Sequence, residues 1–210
     1  YNFDTFGHAE GYAQILAGCG FDSYIFCRPH REAMDLPMRA FRWRDRSGTE
    51  VMARRVAESY PTQMKADRKL NEWPARYAEE AVSLFLWGIG NHGGGPSRED
   101  LAHLERFQRE HPEYRLVHST PERFFREAAL HRSGMPVVTG EIQNIFPGCY
   151  TSMSRIKRAH RECEGLMAAT ERMAAMAWWR KRSEYPSKDL EVAWKDILFG
   201  EFHDILPGSS

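Results

Sequence analysis

Short apolar runs divided by polar, glycine- or proline-bearing stretches fill the first two thirds of the chain, and longer runs at helical spacing fill the last third. Tyr12, Ile15 and Leu16 share one face of a helix predicted over residues 8–19. Residues 22–27 read as a buried strand that stops at Arg28-Pro29. Two further runs, 41–44 and 50–53, flank Ser47-Gly48 and predict a hairpin. A helix near 70–82 leads into a strongly apolar strand over 82–87, then a glycine-rich loop. Ser97, with Asp100 three residues on, caps the next helix. Residues 116–118 read as a short strand, and a helix opens at 119–122. This alternation predicts an α/β domain with parallel strands over residues 1–135.

The character changes at Ser133-Gly134-Met135-Pro136. Residues 152–182 carry Ile156, Cys163, Leu166, Met167, Met173 and Ala177 at near-helical spacing, and Ser187 caps a second helix running to residue 199. Two antiparallel helices joined at Tyr185-Pro186 make residues 136–210 part of a helix bundle.

Composition adds mostly exclusions. Lys plus Arg and Asp plus Glu are 29 each, so no global charge steers the chain to nucleic acid or an anionic membrane. No apolar run reaches the ~20 residues of a membrane span, and the first residues lack the pattern of a signal peptide. Cys19, Cys27, Cys149 and Cys163 form no Cys-x-x-Cys pair, which argues for reduced thiols and a cytoplasmic protein. The chain opens on Tyr1-Asn2-Phe3 and closes on Gly208-Ser209-Ser210, which suggests a fragment of a longer protein.

Three stretches carry candidate chemistry. Asp4 and His8 lie four residues apart around Gly7. Asp4 suits a metal ligand or a nucleophile, or else a helix cap beside a surface histidine. His203-Asp204 runs into Ile205-Leu206-Pro207-Gly208 and serves either a site wall or a helix end. The stretch from Gly88 to Pro96 lacks the lysine of a phosphate-binding loop and the glycine spacing of a dinucleotide fingerprint. It allows close approach of a bulky ligand to backbone, or serves as a linker. Arg28, Asn91 and His118 fall at predicted strand ends, where α/β folds place their ligands.

Taken in order, these segments resemble the retaining α-mannosidases of glycoside hydrolase family 38. The resemblance rests on Asp4-Thr5-Phe6-Gly7-His8 with Gln14-Ile15-Leu16, on Phe26-Cys27-Arg28-Pro29, and on Gly90-Asn91-His92-Gly93-Gly94-Gly95-Pro96. It extends to Gly140-Glu141 with Gly148-Cys149-Tyr150-Thr151-Ser152 and Lys157, and to Phe202-His203-Asp204-Ile205-Leu206-Pro207-Gly208-Ser209-Ser210. It implies part of a (β/α)₇-type barrel followed by a helical bundle segment, with one zinc ion. Asp4 would be both nucleophile and zinc ligand, and His203 a second ligand. Phe6, Arg28, Asn91, His92 and Asp204 would contact the sugar of a mannoside or mannose-containing oligosaccharide. Cobalt or manganese would also suit these donors, and homo-oligomer formation by the parent stays open.

Retaining hydrolysis also needs a carboxylic acid about 5–5.5 Å from the nucleophile. Asn91 stands where that acid is expected, and an amide cannot recycle a proton. Glu99, Asp100 and Glu141 are the visible carboxyl candidates, with His92 as a substitute. Two alternatives follow. One is a non-catalytic carbohydrate-binding relative. The other is a metal-dependent polysaccharide deacetylase, which wants an Asp-Asp pair and a His-x-x-x-His triad that this chain does not show. The 210 residues alone are expected to be inactive, because the family's remaining metal ligands lie in a His-x-Asp segment that they do not contain.

Overall fold

The computed structural model describes residues 1–56, 58, 60–90 and 94–208, which form two compact units, Tyr1–Ile145 and Phe146–Ser210. In the first unit the chain order is β1 (Gly7–His8), α1 (Tyr12–Gly18), β2 (Ser23–Phe26), β3 (Phe41–Arg44), β4 (Glu50–Arg55), α2 (Ala66–Arg76), α3 (Arg98–Glu110), α4 (Pro121–Ala128), β5 (Val137–Thr139) and β6 (Ile142–Gln143). The second unit holds α5 (Ser154–Trp179) and α6 (Ser187–Gly200).

The main sheet has the order β2-β4-β3-β5. β2 runs parallel to β4 and β3 parallel to β5, while β3 and β4 form the expected antiparallel hairpin. Its turn is built by Asp45, whose Oδ1 accepts from the backbone N–H groups of Ser47 and Thr49 at 2.8 and 3.0 Å. Gly48, at φ +87°, supplies the left-handed residue the turn needs. The sheet is thus mixed: its parallel pairs follow the α/β pattern and its antiparallel pair is the hairpin read around Gly48.

Both faces of this sheet are covered, which explains the near-continuous apolar run of β2. Tyr24, Phe26, Phe41, Trp43, Val51 and Ala53 pack with Ala13 and Leu16 of α1 on one face. Ile25, Cys27, Met52 and Val56 pack with Phe124, Phe125 and Ala128 of α4 on the other. β4 ends on two buried arginines that turn to opposite jobs. Arg54 pairs with Glu80 at 2.5 Å, and Arg55 donates to the carbonyls of Met34 and Leu36 at 2.6 and 3.0 Å. A third cluster joins Leu70 of α2 to Leu104 and Phe107 of α3.

Three expectations change. Residues 82–87 form no strand among the described residues, although their side chains alternate as a strand's would. Val82, Leu84 and Leu86 face the α4 cluster, and Phe85 and Trp87 face the α2–α3 cluster. Side chains of α2 take up polar groups that a ladder would use: Lys69 Nζ donates to the Leu86 carbonyl at 2.8 Å. Residues 116–118 likewise lack a strand partner, because the Leu116 N–H donates to Gln108 Oε1 at 2.6 Å. The helix expected near 70–82 starts earlier and ends earlier, at Ala66–Arg76.

The first domain was expected to end at residue 135. β5 and β6 nevertheless belong to the first unit, since β5 pairs with β3 and β6 with β1, so the division falls after Ile145. In the second unit, Trp194 Nε1 of α6 donates to Glu171 Oε1 of α5 at 2.7 Å, and His160 reaches Glu201 at 3.4 Å. That pairing runs antiparallel. Ser187 opens α6 without a side-chain cap; Pro186 occupies the capping position. Of the apolar positions predicted along α5, Met167 alone is buried. No described helix is long and apolar enough to cross a membrane.

Candidate functional site

Arg28, at the carboxyl end of β2, gathers the first motif around itself. The chain start runs alongside β2, with Asn2 bridged to Phe26 and its N–H donating to the Ile25 carbonyl at 2.9 Å. This registers residue 4 against residue 28. Asp4 Oδ1 then lies 2.6 Å from Arg28 Nη2, with side chains 33% and 26% exposed. The guanidinium carbon sits 5.1 Å from the centroid of the Phe6 ring, a cation–π contact. His8 Nε2 lies 2.9 Å from the Arg28 carbonyl oxygen. Residues 4, 6 and 8 therefore all touch Arg28, by its head group, its guanidinium face and its backbone.

The intervening Gly7 faces the other way. It pairs with Gln143 across β1–β6, and a Cβ there would lie 2.7 Å from Gln143 Cγ. Only glycine lets the two strands meet so closely. β6 follows Gly140, whose carbonyl accepts from Trp43 Nε1 at 2.9 Å, so the Gly140-Glu141 motif braces the strand behind the site.

His8 is not the surface residue that one reading of its motif allowed. It is 4% exposed, edge-on to Phe26 at 4.8 Å and to Tyr24 at 5.2 Å. Burial pulls its pKa from 6.5 down to about 4, against the hydrogen bond to Arg28, so it is neutral at pH 7. A carbonyl only accepts, so Nε2 carries the proton and Nδ1 accepts from the Tyr24 hydroxyl at 3.0 Å.

Beyond Arg28 lies a buried polar group that the sequence did not single out. Lys69, of α2, sits 5.0 Å from the Phe85 ring centroid and near Glu58 and Cys27, and burial lowers its pKa to about 8. Burial likewise pushes the Cys27 thiol up to about 12, so it is no thiolate nucleophile. Glu58, just past β4, accepts from the Tyr77 hydroxyl and lies 3.3 Å from Arg76. Its position after a strand is the one signal that was available.

Of the acid candidates, Asp100 is fully buried and already committed. Its Oδ1 accepts from the Ala66 N–H at 3.0 Å and its Oδ2 from Ser97 Oγ at 2.8 Å. It joins the starts of α2 and α3 and is removed from the list. Glu99 and Glu141 are exposed. Asn91 and His92 lie outside the described residues.

In the second unit His203 and Asp204 follow α6 in a chain of turns, 3.7 Å apart, with the imidazole 4.3 Å from the Phe202 ring centroid. The segment over residues 148–157 and the one over 202–208 meet here. Lys157 Nζ donates to the carbonyls of Ser152 and Pro207 at 2.5 and 3.3 Å. Gly208, at φ +81°, packs so closely on residue 152 that a Cβ would lie 2.9 Å from Ser152 Oγ. This anchors the segment carrying His203. Asp4 in the first unit and His203 in the second are each partly exposed and each of a residue type that zinc accepts. His160, Glu164 and Glu201 also converge, with ligand atoms within 4.8 Å of one another. His160 Nε2 lies 3.7 Å from Glu164 and 3.4 Å from Glu201, and Arg161 pairs with Glu164 at 2.8 Å, so the cluster has partners of its own within the unit.

Residues 1–142 match the model of the glycosyl hydrolases family 38 N-terminal domain, and residues 144–210 match that of the alpha mannosidase middle domain. Alpha-mannosidase 2C1 of Homo sapiens is 27% identical over 212 residues, covering 98% of this chain and 20% of the human protein. Alpha-mannosidase G of Dictyostelium discoideum is 28% identical over 214 residues, covering 99% of this chain and 19% of its own length. The crystal structure of an alpha-mannosidase from Enterococcus faecalis V583 is similar in fold, with a TM-score of 0.67 at 20% identity, over 99% of this chain and 26% of that one. The chain spans about a fifth of the length of the curated relatives it matches.

Proposed function

Because this chain belongs to glycoside hydrolase family 38, we propose that its parent is a retaining α-mannosidase acting on terminal α-mannosides, with Asp4 as nucleophile. The observation that carries this reading is the Asp4–Arg28–Phe6 group at the end of β2. Nucleophilic attack at an anomeric carbon needs a carboxylate held in one orientation before the sugar arrives. The Arg28 guanidinium, 2.6 Å from Oδ1, holds it so, and Phe6 fixes the guanidinium in turn. The main sheet is then one part of a (β/α)₇-type barrel, and α5 with α6 part of a helical bundle.

Zinc is the metal this reading assigns, with Asp4 and His203 among its ligands and Asp204 as a contact to the sugar. When bound, a divalent metal orients the sugar hydroxyls and stabilises developing charge. Asn91 and His92 are proposed sugar contacts on the strength of their loop alone. Family membership displaces the deacetylase alternative. A cytoplasmic location suits the four unpaired cysteines.

Asn91 keeps one rival in play, a carbohydrate-binding relative without the acid. The full-length parent separates them. An aryl α-mannoside should be hydrolysed with the α-anomer as first product, and Asp4→Asn should lower kcat by at least about 10³-fold, since the nucleophile is lost. Mannoside binding without turnover by the unmutated parent would establish the rival instead.

A further inference from the structure

His8 sits four residues from Asp4, and its ring grips the Arg28 backbone. The hydrogen bond at 2.9 Å fixes the residue whose guanidinium holds Asp4 Oδ1. Tyr24, buried on β2, donates to Nδ1 and so leaves the ring a single arrangement, with its proton on Nε2. Phe26 and Trp43 close around the ring at 4.8 and 6.2 Å and exclude competing water. The polar connection runs from Tyr24 through His8 and Arg28 to Asp4, with links of 3.0, 2.9 and 2.6 Å.

We propose that His8 is a positioning residue for the nucleophile: its Nε2–H holds the Arg28 backbone, and Arg28 holds the Asp4 carboxylate. The proposal rests on the reading of Asp4 as the nucleophile of an α-mannosidase. It assigns His8 neither metal binding nor proton transfer, because both ring nitrogens are spent inside the fold. Its effect belongs to the chemical step. A carboxylate displaced by an ångström costs about 10²-fold in rate, while contacts that only bind sugar are untouched.

The experiment is steady-state hydrolysis of an aryl α-mannoside by the full-length protein carrying His8→Gln, His8→Asn or His8→Leu. Gln places an amide N–H where Nε2 stands, whereas Asn is polar but too short to reach the Arg28 carbonyl. Gln should keep kcat within about threefold, and Asn and Leu should lose about 10²-fold in kcat with KM held within about threefold. A purely structural role would instead lower active protein, seen by active-site titration, and leave kcat per folded molecule unchanged. Equal kcat for Gln and Asn would overturn the proposal, as would a loss confined to KM. If Leu does not fold, the Gln–Asn pair decides alone. An unmutated protein without turnover would sink the nucleophile reading itself, an outcome distinct from active wild type with indifferent His8 variants.

Discussion

A neutral imidazole buried against Arg28 makes stability depend on acid. His8 titrates near 6.5 when unfolded and about 4 when folded. Between those values the unfolded chain binds the extra proton, so stability rises with pH through the window. The contribution is fully present above pH 6.5 and is lost as pH falls toward 4, by at most about 3 kcal/mol. Urea midpoints measured at pH 7, 5.5 and 4.5 should fall across that range, and His8→Gln should flatten the fall. An unchanged slope in the Gln variant would place the acid sensitivity on other groups. Asp4 and Arg28 were legible as candidates because one sits in a motif and the other at a strand end. That His8 would be buried was not legible. Its burial depends on Tyr24, Phe26 and Trp43, which are up to 35 residues away along the chain and come together only when the sheet forms.

At the scale of elements, Asp100 shows how a helix cap can join two helices. Ser97 caps α3 through the Asp100 N–H at 2.9 Å, as its spacing predicted. The carboxylate then reaches the first N–H of α2 at Ala66, where no local side chain caps the helix. Asp100→Ala leaves that buried donor unsatisfied and is expected to cost about 1–3 kcal/mol. Ser97→Ala should cost about 1 kcal/mol, and the double variant should fall short of the sum, because both residues share one hydrogen-bond network. Urea unfolding of the three variants gives the answer, and strict additivity would refute the shared network. This link also explains why α2 was misplaced. Its start is set by a carboxylate 34 residues downstream, and local pattern cannot report that. Residues 82–87 failed for a related reason: their alternation is real, but a carbonyl that a ladder would use is taken by a side chain of α2, Lys69 on Leu86.

Across the whole molecule, the two units differ sharply in what they bury. The first packs both faces of a sheet and joins α2 to α3 through a further cluster. Among the described residues of the second, Met167 and Leu190 are the only buried hydrophobic side chains, worth about 1.5–3 kcal/mol each. Leu166, Met173, Trp178, Trp179 and Phe199 are exposed along the same helices. So small a burial does little to offset the ordering of two helices of 26 and 14 residues. The helical periodicity of residues 152–182 was readable in the sequence, whereas which side chains find partners is decided by packing that periodicity does not encode. The 210-residue chain should therefore unfold in two steps. Amides of α5 and α6 should lose hydrogen-exchange protection at lower urea than those of β3 and β4, with far-UV dichroism falling before the Trp43 environment changes. Coincident midpoints for all probes would mean that the helix pair draws its stability from contacts beyond its own two buried residues. The two-unit account of stability would then be wrong.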